Sequence, residues 1–225
     1  MHDVGTMLLA LQLGDSAFPA GGFAFSWGME GLAADGLIAD AADVAEIVTL
    51  QLANRWNSMD RVLLRRAYAA DDMAGVVEVD RLAEAATPSA PMRAGSRRAG
   101  RALLGACLHL SLANVAEYRR AIAQDPTLGH LPVAQGLAFR AAGLPLAQSE
   151  MLSGWAVIGG LTSAAVRLGL IGHVEALGMA APLRATLAGL LAAPTPAETE
   201  LSSFTPLVDI AVTRSSGRVM RMFAT

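Results

Sequence analysis

Residues 40–56 read DAADVAEIVTLQLANRW, and the spacing within them decides the fold class. Wound as an α-helix, Val44, Ile47, Val48 and Leu52 fall within about 140° of one another, with Glu46 on the other side. Asp40 stands just before this stripe. A short carboxylate there can accept from the free N–H groups of the first turn, so Asp40 is read as the N-cap.

Outward from this stretch the same period recurs. Further helices are expected at 58–70, 72–86, 92–106, 108–124, 132–142, 146–170, 173–191 and 206–213, and no stretch alternates convincingly with the period of a strand. Prolines and glycines in 87–91, 125–132 and 143–145 mark the breaks, each short enough for antiparallel neighbours. Segment 192–205, with Pro194 and Pro196, reads as a linker that sets the last helix and the tail apart from the bundle. The expectation is an all-α protein, a single-domain compact helical bundle of about ten helices over residues 1–225.

Composition narrows the function. With 53% apolar and 16% charged residues the chain is too apolar to be disordered, and a net charge of −3 argues against a general nucleic-acid binder. All 17 basic residues are arginine. A Walker-type phosphate loop, a Schiff-base nucleophile and a pyridoxal site each need a lysine amine, so the chain is not a P-loop GTPase. Cys107 is the only cysteine and forms no internal disulfide, which points weakly to the cytoplasm. The N-terminal run MLLALQL followed by SAFPA has the outline of a signal peptide, but His2 and Asp3 stand where its basic residues belong. The uncharged run Met151–Val166 is too short to span a bilayer and reads as a buried helix. Its Gly154, Gly159 and Gly160 would admit another helix closely, in the core or at a dimer or partner seam.

No catalytic or metal chemistry is spelled out. The soft or borderline ligand candidates, His2, His109, His130, His173, Cys107 and ten methionines, lack paired spacing, and Cys107 and His109 point about 200° apart on a helix. Ser26, in FAFSWG, lacks the glycine two residues earlier that a nucleophile elbow requires. By elimination the residues favour an interaction protein, with a stand-alone helical enzyme such as a hydrolase, or an unrelated helical scaffold, as the alternatives. Arg93, Arg97 and Arg101 lie within about 80° on one helix face with Arg98 beside them. Such a face suits acidic partners, or is a solvated stripe next to Glu84 and Asp80.

Residues 14–31, GDSAFPAGGFAFSWGMEG, form the least degenerate string of the chain. Asp15, Ser16, Pro19, Gly21 and Gly22 read as a turn feeding a helix, and Phe18, Phe23, Phe25 and Trp27 crowd together as partner anchors or core residues. This string resembles the N-terminal signature of urease accessory protein F. Four more blocks carry the resemblance: RRAGRALL at 97–104, GHLPVAQGLAFRAAGLP at 129–145, WAVIGGLTSAAVRLGLIG at 155–172 and FTPLVDIAVTRSSGRVMRMF at 204–223. The resemblance implies a helical, dimerising, non-enzymatic cytoplasmic scaffold. It would bind urease accessory protein D (H in some species), recruit and modulate the GTPase accessory protein G, and meet apo-urease. It implies no cofactor of its own, nickel being handled by the assembled complex; the net charge and the short apolar run separately argue against a nucleic-acid or membrane partner.

The partner-binding residues expected are Pro19, Gly22, Phe23, Ser26, Trp27, Glu30, Arg97, Arg101, Arg214, Arg221 and Phe223, with 214–225 as a docking tail behind a helix capped by Thr205. The family tail commonly reads Met-Arg-His-Glu and later Tyr-Ser-Arg-Leu-Phe. Here Thr213, Arg214, Ser215 and Ser216 stand in the first place and Val219 to Phe223 in the second, so the arginines and Phe223 remain while the histidine and glutamate do not.

Overall fold

Asp40 accepts from the backbone N–H groups of Ala42 and Asp43 at 2.8 and 3.1 Å, opening the helix that its position predicts. The computed structural model describes residues 4–15, 18, 25–110, 112–196, 199–215 and 222–223. In chain order they form α1 (Val4–Gly14), α2 (Met29–Ala34), α3 (Ala41–Gln51), a π-helical segment (Leu52–Asp60), α4 (Arg61–Ala69), α5 (Met73–Ala86) and α6 (Ala90–Leu108). There follow α7 (Val115–Gln124), α8 (Leu131–Ala141), α9 (Leu146–Arg167), α10 (His173–Ala192) and α11 (Pro206–Ser215). No strand occurs among the described residues, and the all-α expectation holds.

The rod made of α3, the π segment and α4 runs through two apolar cores. At its first half Val44, Val48, Leu52 and Trp56 pack with Met29 and Leu32 of α2, Ile158 and Leu161 of α9, Leu183 and Leu187 of α10, and Val208 and Val212 of α11. At its second half Leu63 and Ala67 join Val76 of α5, Leu103 and Leu104 of α6, Tyr118 of α7, and Val133 and Ala134 of α8. Full burial of each such side chain contributes about 1.5–3 kcal/mol, so this rod is the spine of the bundle. α4 and α8 cross with backbones in close approach. A Cβ on Gly136 would sit 2.5 Å from the carbonyl oxygen of Leu64, a distance no larger residue can occupy without moving the backbone. Leu13 of α1 packs separately on Phe139 and Leu144.

Several boundaries differ from the sequence reading. The break expected at residue 57 is absent, because the wide π turns absorb the irregularity without ending the rod. The helix expected from 108 begins at Val115, since Asn114 takes a left-handed φ of 63° that ends regular helix before it. α1 and α2, unassigned by periodicity, are formed, and Met151–Val166 is half-buried, with Met151 and Trp155 facing solvent. Gly154 is covered by Trp56 and Leu187, whereas Gly159 and Gly160 meet open space.

The last helix is not set apart from the bundle. Val208, Ala211 and Val212 of α11 are buried in the larger core, because the linker runs back along the π segment and delivers α11 to α2. Thr205 does not cap α11 through its side chain, whose buried hydroxyl oxygen has no hydrogen-bond partner. α10 is long and apolar enough to cross a bilayer by length and composition; it packs on α9 and α3 and carries Pro182 within it.

Candidate functional site

Residues 25–35, around the start of α2, meet α11 and residues 222–223. Trp27 and Gly28 take positive φ values of 50° and 96°, turning the chain abruptly into α2. A Cβ on Gly28 would lie 2.6 Å from Val208 Cγ1, so glycine is needed there both for its φ and for the approach of α11. Gln51 fixes the turn from the spine, donating its Nε2–H to the Trp27 carbonyl at 2.9 Å. Phe25 and Ser26 are buried. The Phe25 and Trp27 rings lie 5.3 Å apart, and the Arg98 guanidinium stands 5.6 Å over the Phe25 ring. Of the crowded aromatics, Phe25 is therefore a core residue, while Trp27 is half-exposed.

The C-terminus closes on the same place. Glu30 Oε1 accepts from the Met222 N–H at 2.6 Å, and Arg214 reaches Asp35 at 3.5 Å. Phe223 is buried in the larger core, its ring centroid 4.2 Å from the Arg167 guanidinium. Ser26, Trp27, Glu30, Arg214 and Phe223 thus belong to one face built by α2, α9 and α11. Pro19, Gly22, Phe23 and Arg221 lie outside the described residues.

Arg97 and Arg101 lie elsewhere, on the opposite side of α6. Glu84 of α5 pairs with Arg97, with Arg93 at 3.1 Å and with the Nε2–H of His130 at 2.9 Å. Arg101 donates to the carbonyls of Pro126 and Leu128 at 2.5 and 3.0 Å. Of the two readings of this face, neighbouring an acid describes what Arg93 and Arg97 do. Beneath them Asp80 is fully buried and accepts from the Tyr118 hydroxyl at 2.5 Å and from the backbone N–H groups of Gly129 and His130. Burial raises the Asp80 pKa and lowers that of His130. The hydrogen bonds from Arg97 and His130 outweigh partial burial at Glu84 and lower its pKa. The arrangement pins the start of α8 to α5 and α7, which explains structurally the Gly-His pair of the block at 129–145.

A cavity of about 130 Å³ sits between the π segment, α6, α8 and α9. Its wall includes Trp27, Arg55, Trp56, Asp60, Gln135 and Ser153. Trp56 Nε1–H donates to Ser153 Oγ at 3.1 Å, and the Ser153 hydroxyl in turn donates to Gln135 Oε1 at 2.8 Å. Asp60 lies 3.6 Å from Arg55, and burial raises its pKa. Periodicity had no means of finding this cavity, since it is bounded by helices distant in sequence.

Among the described residues no group of three or more His, Cys, Asp or Glu side chains could hold a metal ion. Cys107 is buried, and burial pushes its thiol up to about 11, so it is a packing residue rather than a thiolate ligand. Arg167 and Asp35 were not singled out in the sequence. Arg167 lies inside the quoted Ser-Ala-Ala-Val-Arg-Leu stretch, a signal that was available, whereas nothing local marks Asp35.

Known proteins resemble this chain in sequence along most or nearly all of its length. Residues 38–184 match the family model UreF. The urease accessory protein UreF of Trichodesmium erythraeum is 27% identical over 230 aligned positions, covering 99% of this chain and 98% of that protein. UreF of an Arthrobacter species is 31% identical over 74% of both chains, and that of Yersinia pestis 27% identical over 75% of both. A whole-length match to one relative, a higher identity to another and a family model spanning most of the spine place this chain in the UreF family of urease accessory proteins.

Proposed function

We propose that the chain is the scaffold of a urease-maturation assembly, binding accessory protein D (or H), recruiting and modulating the GTPase accessory protein G, and bringing both to apo-urease. In this reading it acts as a homodimer in the cytoplasm. It holds no cofactor, and nickel is handled by the assembly. The supporting observation is the convergence of the first and last quoted blocks on one face, where Trp27, Glu30 and Arg214 remain partly or fully exposed. An aromatic ring and an arginine exposed together on an open surface suit recognition of a protein, whereas a small molecule calls for a concave pocket. Without lysine the chain cannot build a phosphate loop, so GTP chemistry falls to the partner.

The C-terminal residues 214–225 are proposed as the docking element for accessory protein D. Phe223 would leave its core position on binding, exchanging one apolar environment for another. The test is co-purification of the full chain, and of a form truncated after Thr213, with accessory proteins D and G, together with urease activation. The expected outcome is a ternary complex with the full chain and none with the truncated form. Full partner binding by a folded truncated form would refute the docking role, and failure of the full chain to bind either protein would refute the scaffold.

A further inference from the structure

The segment Leu52–Asp60 holds nine consecutive residues in π turns, closed by the Arg61 N–H on the Trp56 carbonyl, where this geometry ordinarily lasts a single turn. Its sequence, LANRWNSMD, interrupts good helix formers with residues that weaken a helix. Asn54, Asn57 and Ser58 all offer side-chain bonds that compete with the backbone ladder. An unusual register on weak local propensity needs support from outside the segment.

The linker supplies that support. The Ser202 N–H donates to the Ser58 carbonyl at 3.0 Å, and the Ser58 hydroxyl donates back to the Ser202 carbonyl at 2.6 Å. The Phe204 N–H donates to the Asn54 carbonyl at 2.9 Å, and Arg55 reaches Ser203 Oγ at 3.5 Å. Further along the same rod Arg66 donates to the Thr199 carbonyl at 2.9 Å and Arg61 to the Ala193 carbonyl, while Arg61 also holds the carbonyls of Leu190 and Leu191 at the end of α10. The segment's other side forms the cavity wall, with Arg55, Trp56 and Asp60 lining it and Trp56 held by Ser153. The same wide turns therefore meet the linker outside and the cavity inside.

We infer that the linker is a clamp: its backbone holds Leu52–Asp60 in the π register and thereby sets where Arg55, Trp56 and Asp60 stand in the cavity wall. Released from the linker, the segment has neither register secured and fluctuates between π and ordinary i→i+4 bonding, which opens its amides to exchange, turns these side chains relative to α9 and strains the Trp56–Ser153 bond. The linker leads directly into α11, so a protein gripping the C-terminal end would have a short covalent route to the cavity. That last consequence rests on the docking role proposed above, whereas the clamp itself needs no partner.

Amide hydrogen exchange on the full chain, read residue by residue by NMR, tests the clamp. In the wild-type protein the amides of Ser202 and Phe204 and those of residues 57–61 should open together, with protection agreeing within about tenfold. Linker amides exchanging faster than that margin would show that the segment keeps its register unaided, and would overturn the inference. A Ser58→Ala, Ser202→Pro double variant removes both halves of the reciprocal bond. Protection over residues 57–61 should then fall roughly tenfold, the scale of one or two lost hydrogen bonds, while α5 is unaffected. Unchanged protection in a variant of wild-type helix content overturns the clamp as well. If the double variant does not fold, the wild-type comparison decides.

Discussion

The guanidinium of Arg167 covers the ring of Phe223, 4.2 Å from its centroid, and so ties the C-terminus to the end of α9. Phe223 is buried there among side chains of the larger core, which makes it a stability residue of the free protein. Phe223→Ala should lower the free energy of unfolding by about 3 kcal/mol, through lost burial and a lost cation–π contact. Urea denaturation followed by circular dichroism measures this. A variant as stable as the wild type would mean that the ring is not seated in solution.

Tyr118 and Asp80 offer a second test. The hydroxyl is one of three donors to a carboxylate with no access to water. Tyr118→Phe keeps the ring packing and removes only that donor, leaving a buried charge less satisfied, at a cost of about 1.5–3 kcal/mol. The loss should shrink when Asp80→Asn is combined with it, because the two act on one interaction. Simple additivity of the two changes would show that the bond contributes nothing.

His130 predicts a pH dependence. Burial holds its imidazole below the ordinary range against the pull of Asp80 and Glu84. The unfolded chain therefore binds the proton first as pH falls. Stability from this group is complete above the unfolded pKa of about 6.5 and is lost as pH drops through and below it. Between pH 7.5 and pH 5.5 the urea midpoint should fall more in the wild type than in His130→Gln, which can still donate to Glu84. Parallel falls in both proteins would assign the effect to other groups.

Nickel calorimetry on the isolated protein should show no stoichiometric site tighter than about micromolar, roughly −8 kcal/mol. The expectation comes from the unpaired spacing of His109, His130 and His173 and from the place of His130 beside Glu84 and Asp80. A tighter site would point to ligands assembled across two copies of the chain.

Much of the fold was legible because helical periodicity is local. The stripe at Val44, Ile47, Val48 and Leu52 needs only the 3.6-residue turn to become a buried face, and Asp40 needs only its own carboxylate to cap it. Gly143, with φ 74°, turns α8 into α9 where the Gly-Leu-Pro break predicted a turn. The π segment was not legible. Its carbonyls are held by Ser202 and Phe204, and no window of neighbouring residues contains that information. Of the candidate site, the first and last blocks could be quoted from the sequence, but Gln51 behind Trp27, Asp35 opposite Arg214 and the cavity wall could not.

The sequence alone determined the all-helical class and the places of most of the longer helices, the lack of a lysine-based phosphate loop and the resemblance to a family, because each depends on residue identity and short spacing. Only the tertiary structure decided that Arg97 faces Glu84 rather than an open surface, that Phe223 is covered, and that the linker lies along the spine. Those outcomes depend on which helices meet. Close approach at Gly28 and Gly136, and burial of Asp80 among its donors, select one packing from the many that the same set of amphipathic helices could attempt.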